Sequence, residues 1–308
     1  MTYLQRALEL AERGRGTTHP NPVVGAVVVR EGEVVGEGWH ERAGGPHGEI
    51  AALEQAGERA HGGTLYVTLA PCSRQGRTPP CVDAVLAAGI ERVVVGADDP
   101  TQDGVERLRE AGVEVELVDS WEARRQNEAW RTWATLGRPF VTYKAAVSLD
   151  GRVTVPGSRW VSGEESRRLV HELRAGSDAV AVGMGTFRAD SPQLTARGVE
   201  APRQPRRLVF GSGPVPEGFE LVQGRLDEEL LRLADEGVQS LLLEGGPTLA
   251  TAFAAAGVVD KLLVFVAPVL SGDGPRFLGE LPKPLALGRF EAQAVGEDVL
   301  LTAYVREP

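Results

Sequence analysis

Lysine is nearly missing from this 308-residue chain: Lys144, Lys261 and Lys283 are its only lysines, against 33 basic side chains in all. Arginine carries the rest, a bias that a GC-rich genome or a thermophilic lifestyle produces. A lone lysine such as Lys144 therefore marks a place where arginine has not displaced it. Cysteine is as scarce, with Cys72 and Cys81 alone. Two cysteines in a chain of this size argue against a disulfide framework and point to a reducing, cytoplasmic setting. A positive balance is also missing: 43 acidic side chains bring the formal net charge to −10, which argues against a non-specific nucleic-acid binder. Long hydrophobic runs are absent, and nothing approaches the ~18 residues of a membrane span. The stretch from Tyr3 to Leu10 is amphipathic and charged, unlike a secretory signal. Neither a membrane nor a nucleic acid is expected as a partner.

What is present is an ordinary soluble composition, 42% hydrophobic and 25% charged, in a chain long enough for two domains. Leu4, Ala7, Leu8 and Ala11 recur at helical spacing over 2–14, and the two prolines of Thr17-Thr18-His19-Pro20-Asn21-Pro22 force a turn-forming loop. Val23 to Val29 reads as a strand, Glu31-Gly32 as a turn and Val34 to Trp39 as the hairpin partner. His47 opens a helix with Ile50, Ala51, Leu53 and Ala56 on its apolar face. Strands over 64–69, 92–95 and 113–118 alternate with helices over 82–88 and 104–111, which implies an α/β domain with a mostly parallel sheet. One helix is predicted over 120–137, broken by Gly137-Arg138-Pro139, and the junction between domains 1–138 and 139–308 is placed there. The second half restarts the alternation, with strands over 140–146, 179–183, 207–210, 240–243 and 261–266 and helices over 164–174, 226–235 and 248–256. No internal repeat or low-complexity segment stands out.

The chemistry concentrates in His47-Gly48-Glu49, answered by Pro71-Cys72 and Cys81. A His and a Glu two apart, ahead of a Pro-Cys and a second Cys, is the pattern of a zinc-dependent nucleobase deaminase. One imidazole and two thiolates hold Zn²⁺ there, and the carboxylate moves protons without ligating. Zinc bound by three protein groups lowers the pKa of a coordinated water from 15.7 to about 7. Placing His47 and Cys81 at helix starts suits this, since a helix N-terminus stabilises thiolate charge. Blander readings stand beside it. A His-x-Glu at a helix start is usually surface chemistry, the cysteines could be two buried thiols or a disulfide, and a structural zinc would recruit a fourth ligand from His19, His40 or His61. The common Cys-x-x-Cys spacing is widened here to eight intervening residues, Ser73 to Pro80, carrying Arg74 and Arg77. Two arginines beside such a site suit a phosphate, with a charge of about −2, better than a bare nucleoside.

The second half speaks less plainly. Lys144 lies near the end of a strand and precedes Ser148-Leu149-Asp150-Gly151-Arg152. Glu244-Gly245-Gly246-Pro247-Thr248 joins a buried strand to a helix, its glycines permitting close approach of a phosphate to helix amides. Gly183-x-Gly185 is a fragment of a nucleotide loop that more often is a structural turn. No full G-x-G-x-x-G is present, so a Rossmann domain is not supported.

Several of these stretches resemble one known family. His19-Pro20-Asn21-Pro22-Val23-Val24-Gly25, Ala43-Gly44-Gly45-Pro46-His47, Pro71-Cys72-Ser73 and Gly76-Arg77-Thr78-Pro79-Pro80-Cys81 resemble the bifunctional riboflavin biosynthesis deaminase/reductase. The resemblance continues through Lys144-Ala145-Ala146-Val147-Ser148-Leu149-Asp150-Gly151, Ser158-Arg159-Trp160, Leu173-Arg174-Ala175 and 189–195, and so spans most of the chain. It implies an α/β protein with a cytidine-deaminase-like N-terminal domain followed by a dihydrofolate-reductase-like C-terminal domain. The implied reactions are zinc-dependent deamination of 2,5-diamino-6-(5-phosphoribosylamino)pyrimidin-4(3H)-one, then NADPH-dependent reduction of its ribosyl group to ribityl.

Carried over residue by residue, the resemblance implies that His47, Cys72 and Cys81 hold zinc, with Glu49 as proton shuttle. Asn21, Arg74 and Arg77 hold the base and its phosphate. Ala146, Trp160, Thr186, Asp190, Ser212 and the turn formed by Gly246, Pro247, Thr248, Leu249, Ala250, Thr251 and Ala252 are placed on NADPH. Ser158, Arg174, Leu194, Arg197 and Glu244 are placed on the substrate, with Lys144 beside Glu244 supplying or relaying a proton. A small phosphorylated pyrimidine is thus the expected partner, and a homo-oligomer the expected assembly. The chain departs from the family pattern at Gly48, where alanine is usual, at Ala70, where glutamate commonly precedes Pro-Cys, and at Arg74, where histidine is common. Two other readings compete: a deaminase for a different nucleobase with an unrelated second domain, and a non-catalytic structural zinc module.

Overall fold

The first sheet starts from a hairpin, β1 (Gly25–Arg30) and β2 (Glu33–Trp39), in this computed structural model, which describes residues 1–76 and 79–308. Glu31 and Gly32 close it with φ of 52° and 84°, the left-handed pair that matches strand twist. Preceding it, α1 (Tyr3–Glu12) opens with a reciprocal cap: Gln5 N donates to Thr2 Oγ1 at 3.1 Å and Thr2 N to Gln5 Oε1 at 2.7 Å. The alternation of β1 then divides its side chains between two layers. Val27 and Val29 pack with Ala7 and Leu10 of α1, while Ala26 and Val28 join the core under α2 (Gly48–Ala56).

Glycines let α2 lie directly on the hairpin. A Cβ added at Gly36 would fall 2.2 Å from Ala52 O, and one at Gly38 2.4 Å from Ala52 N. The chain continues through β3 (Thr64–Val67), α3 (Cys81–Ala87), β4 (Arg92–Val95), α4 (Gly104–Glu110), β5 (Glu114–Leu117), α5 (Trp121–Gln126) and α6 (Glu128–Leu136). Sheet order is β2-β1-β3-β4-β5. The β3–β4 and β4–β5 pairs are parallel, whereas β1 runs opposite to the other four strands and pairs antiparallel with both its neighbours, β2 and β3. The sheet is therefore mixed, a correction to the mostly parallel one expected. The single helix predicted over 120–137 is likewise two. Asn127 interrupts it at φ −115°, and its buried amide pairs with the backbone of Val23, accepting from N and donating to O, both at 2.9 Å. A tertiary bond thus overrides local helical pattern.

The chain divides into two compact units, Met1–Leu136 and Gly137–Glu307. The second comprises β6 (Phe140–Ser148), α7 (Glu164–Ala175), β7 (Ala179–Gly183), α8 (Met184–Asp190), β8 (Arg206–Phe210), β9 (Glu220–Val222), α9 (Leu226–Asp235), β10 (Ser240–Leu243), α10 (Pro247–Ala255), β11 (Lys261–Ala267), β12 (Gly288–Val295) and β13 (Asp298–Tyr304). Its sheet runs β12-β13-β11-β6-β10-β7-β8-β9. The strands from β11 to β9 are parallel, and β13 with β12 adds an antiparallel edge. Tyr143, Phe253 and Phe265 are the largest fully buried side chains. Arg138 grips Asp260 through two bonds of 2.7 Å, and Asp260 Oδ2 also accepts Val141 N, which fixes the start of β6. The helix α8 and the strands β9, β12 and β13 were not among the predicted elements. No helix among the described residues is long and apolar enough to cross a membrane.

Candidate active sites

Three ligand atoms converge in the first unit. His47 is the N-cap residue of α2, Cys81 is the first residue of α3, and Cys72 lies in the segment after β3. Their donor atoms all lie within 4.8 Å of one another. His47 Nδ1 is 3.6 Å from Cys72 Sγ and 3.3 Å from Cys81 Sγ, and Cys81 N donates to Cys72 Sγ at 3.2 Å. Hydrogen bonding from Cys81 and from His47 drives Cys72 toward the thiolate, while serving as donor pushes the Cys81 thiol up. The bond to Cys72 holds His47 above its usual value. Protons here bridge one anion-forming cluster, and a divalent cation of borderline softness fits in their place.

Glu49, the second residue of α2, is 2% exposed, and its Oε2 has no hydrogen-bond partner among the described residues. Burial pushes its carboxyl up to about 7, against the opposing charge of His47. An orphaned buried carboxylate oxygen beside three donors is what a fourth, water-filled position would satisfy. Among the described residues no fourth protein ligand joins these three. His40, 2% exposed, stacks edge-on against His47 at 5.1 Å but spends both nitrogens elsewhere, Nδ1 on Pro46 O at 2.8 Å and Nε2 on Asn21 Nδ2 at 3.3 Å. Asn21 is thereby tied to the site through His40, a residue that no sequence spacing marks. Burial keeps His40 below the usual imidazole value. Arg74 is exposed, its backbone N anchored to Gln102 Oε1 at 3.1 Å, and Arg77 lies outside the described residues. At Gly48 an added Cβ would sit 2.6 Å from Val24 O, so the alanine usual in the family would require α2 to sit further from β1.

The second unit assembles a different cluster. Arg174, in the last turn of α7, reaches Glu244 at the end of β10 through Nε and Nη2 at 2.6 and 2.9 Å, and Nη1 donates to Thr195 O at 3.2 Å. Burial favours the neutral form of Glu244, but the Arg174 hydrogen bonds and the Lys144 charge outweigh it and hold the carboxyl below its usual value. Lys144 is depressed by burial, with Glu244 opposing. Among the described residues its Nζ has no hydrogen-bond acceptor; it lies over Phe265 at 5.8 Å. His171 joins the group through Thr195 O, the carbonyl that accepts from Arg174 and lies 3.1 Å from His171 Nδ1; Arg197 N lies 3.3 Å from the same ring nitrogen.

Leu194 is buried at φ 56°, a strained setting for a leucine that turns the loop bearing Arg197. Of the residues placed on NADPH, Thr186 and Gly246 meet directly, Gly246 N donating to Thr186 Oγ1 at 3.0 Å. Pro247 to Ala252 form the first turns of α10, with the Ala250 methyl in the core. Ser212 lies after β8, its carbonyl bonded to Arg188 at 3.1 Å, and Asp190 is exposed at the end of α8. Ser158 and Trp160 bond to each other in an exposed turn, where Arg159 and Arg167 lie 5.0 and 5.3 Å from the indole. Ala146 lies two residues beyond Lys144 on β6.

Comparison with known proteins bears on both clusters. Residues 1–97 match the family model described as the cytidine and deoxycytidylate deaminase zinc-binding region, and residues 139–301 match the RibD C-terminal domain. The riboflavin biosynthesis protein RibD of Aquifex aeolicus is 40% identical over 97% of this chain and 96% of its own length. That of Escherichia coli is 41% identical over 91% and 90%. The chain belongs to the RibD family. A solved RibD structure from Acinetobacter baumannii superposes with a TM-score of 0.85 at 33% identity, covering 98% of this chain and 97% of that one. A Thermotoga maritima structure, titled a diaminohydroxyphosphoribosylaminopyrimidine deaminase/5-amino-6-(5-phosphoribosylamino)uracil reductase, gives 0.84 at 33% with the same coverage. Membership of this family establishes the fold class expected from sequence, a cytidine-deaminase-like domain followed by a reductase domain.

Proposed function

We propose that the chain is a bifunctional enzyme of riboflavin biosynthesis, a zinc-dependent pyrimidine deaminase joined to an NADPH-dependent reductase. The observation that carries this reading is the convergence of His47, Cys72 and Cys81 on one point beside the orphaned carboxylate of Glu49. His47 Nδ1 and the two sulfurs hold Zn²⁺, which when bound supplies Lewis acidity and makes water a nucleophile at neutral pH. Glu49, half-protonated near neutrality, takes a proton as water adds to the carbon bearing the 2-amino group. It returns protons to the ring nitrogen and the departing amine, so that the water oxygen stays on the ring as the carbonyl and the amine leaves as ammonia. Asn21 holds the base, with its amide oriented by His40, and Arg74 and Arg77 hold the phosphate.

In the second unit NADPH, when bound, would supply the hydride that reduces C1′ of the ring-opened, imine-like sugar, while the attached nitrogen takes a proton. Lys144, desolvated and facing the Glu244 charge, supplies that proton. Arg174 and Arg197 grip the substrate phosphate, while Ser158, Leu194 and Glu244 shape its site. Ala146, Trp160, Thr186, Asp190 and Ser212 would hold NADPH, and the amides that open α10 would suit its pyrophosphate. A homo-oligomer in the cytoplasm completes the reading. Its support is β12, an eight-residue edge strand exposed along all but its last residue, and size-exclusion chromatography with light scattering tests it.

The decisive assay incubates purified protein with the diaminopyrimidine phosphate, with and without NADPH, and follows ammonia and NADPH absorbance. Both signals are expected. Ammonia without NADPH oxidation would leave only the deaminase, and neither signal would refute the whole reading.

A further inference from the structure

Cys72 and Arg74 belong to one short segment, and that segment is held from the side by the turn before α4. Ser73 N and Arg74 N both donate to Gln102 Oε1, at 2.9 and 3.1 Å. Gln102 Nε2 in turn donates to Asp99 Oδ2 at 3.0 Å. Asp99 is 4% exposed, and its other oxygen accepts Thr101 N and Oγ1 at 2.9 and 2.6 Å. Two backbone donors on one side and a carboxylate on the other leave the amide a single orientation. Further bonds close on the same segment: Ser73 Oγ donates to Asp103, and Arg107 donates to Ser73 O. Behind it, Gly104 packs so tightly that an added Cβ would lie 1.9 Å from Pro71 O.

We propose that Gln102 is a positioning residue for the deamination reaction. Oriented by Asp99, it fixes the Ser73 and Arg74 amides. By doing so it presents the Cys72 sulfur to the zinc position and the Arg74 side chain to the substrate phosphate. Without this acceptor two adjacent amides lose their partner at once, and the segment leaving Cys72 is released from one side. The substrate half of the proposal rests on the reading of Arg74 as a phosphate contact. The Cys72 half does not.

The test uses the full zinc-loaded chain and the diaminopyrimidine phosphate. Gln102→Ala and the same-length Gln102→Met should each raise KM for ammonia release about tenfold, the size of a lost hydrogen bond, with kcat changed less than about twofold. Bound zinc should stay at one per chain, and NADPH oxidation with the deaminated intermediate supplied directly should be unchanged. In an Arg74→Ala background the same substitutions should raise KM no further, because both act through one side chain. The exchanged pair, Asp99→Asn with Gln102→Glu, reverses the bond between the two side chains while keeping an acceptor for both amides. It should bring KM back to within about threefold of the parent. An equal rise in both backgrounds, a fall in kcat at constant KM, or an exchanged pair as impaired as Gln102→Ala would overturn the substrate half. Zinc release to a chelator should quicken about tenfold in Gln102→Ala, and a parental release rate would overturn the Cys72 half. If Arg74→Ala alone leaves KM unchanged, the phosphate reading of Arg74 falls, and the release rate alone decides for or against Gln102.

Discussion

Glu49 and Glu244 are the same side chain put to opposite uses. Each is withdrawn from water and each sits where a strand-and-helix junction faces a reactive cluster. Glu49 has an oxygen with no partner among the described residues and is pushed up to about 7 by burial, so it can take and give a proton near neutrality. Glu244 is clamped by two bonds from Arg174 and held below the usual carboxylate value, so it stays charged. Burial alone therefore does not make an acid–base group. What decides is whether the carboxylate keeps a fixed cation, which turns it into an electrostatic wall, or is left an oxygen to spend. In the second unit we assign the proton instead to Lys144, whose charge is weakened by burial and whose Nζ has no hydrogen-bond acceptor among the described residues.

The contrast can be broken at several points. Cys81→Ala removes a donor that nothing among the described residues replaces: metal analysis should show bound zinc falling from one per chain to near zero, and ammonia release should drop by about 10³-fold or more. Lys144→Ala should lower NADPH oxidation about 10²-fold, the scale of a lost general acid, while ammonia release is untouched. Unchanged turnover in stopped-flow absorbance would remove Lys144 from that role. Arg174→Leu strands the Glu244 charge in a buried site and should cost about 3 kcal/mol in denaturant unfolding of the second unit. The smallest effect is on pH. Because the folded pKa of Glu244 is depressed, its contribution to stability is present above the unfolded value of about 4.3 and is lost as pH falls through the folded value. Glu244→Gln should therefore flatten the acid limb of a melting profile measured between about pH 3 and 6.

The two sites also differ in how far they could be read from sequence. His47-Gly48-Glu49 and Cys81 were legible because they sit at helix starts, with ligand and shuttle two residues apart, where chemistry and local structure share one signal. The trio of Lys144, Arg174 and Glu244 comes from three elements far apart in the chain, and only the family resemblance joined them. His40 and Gln102 carry no motif, since their roles are bonds to backbone and to neighbouring side chains that exist only once the sheet has formed. The same physics explains the fold's surprises. Asn127 splits a helix to bond Val23 across the first unit, α8 begins in a Gly-Met-Gly run that reads as a turn, and β12 is an edge strand with no buried face to leave a period-two pattern.

The central claim is that Glu49 is a mobile proton carrier whose loss leaves the rest of the machine intact. Glu49→Gln in the full chain tests it most directly, with ammonia, bound zinc and NADPH oxidation followed on the same preparation. Ammonia release from the diaminopyrimidine phosphate should fall about 10³-fold or more, with zinc still at one per chain and the deaminated intermediate still oxidising NADPH at the parental rate. Ammonia release at the parental rate with zinc in place would contradict the account.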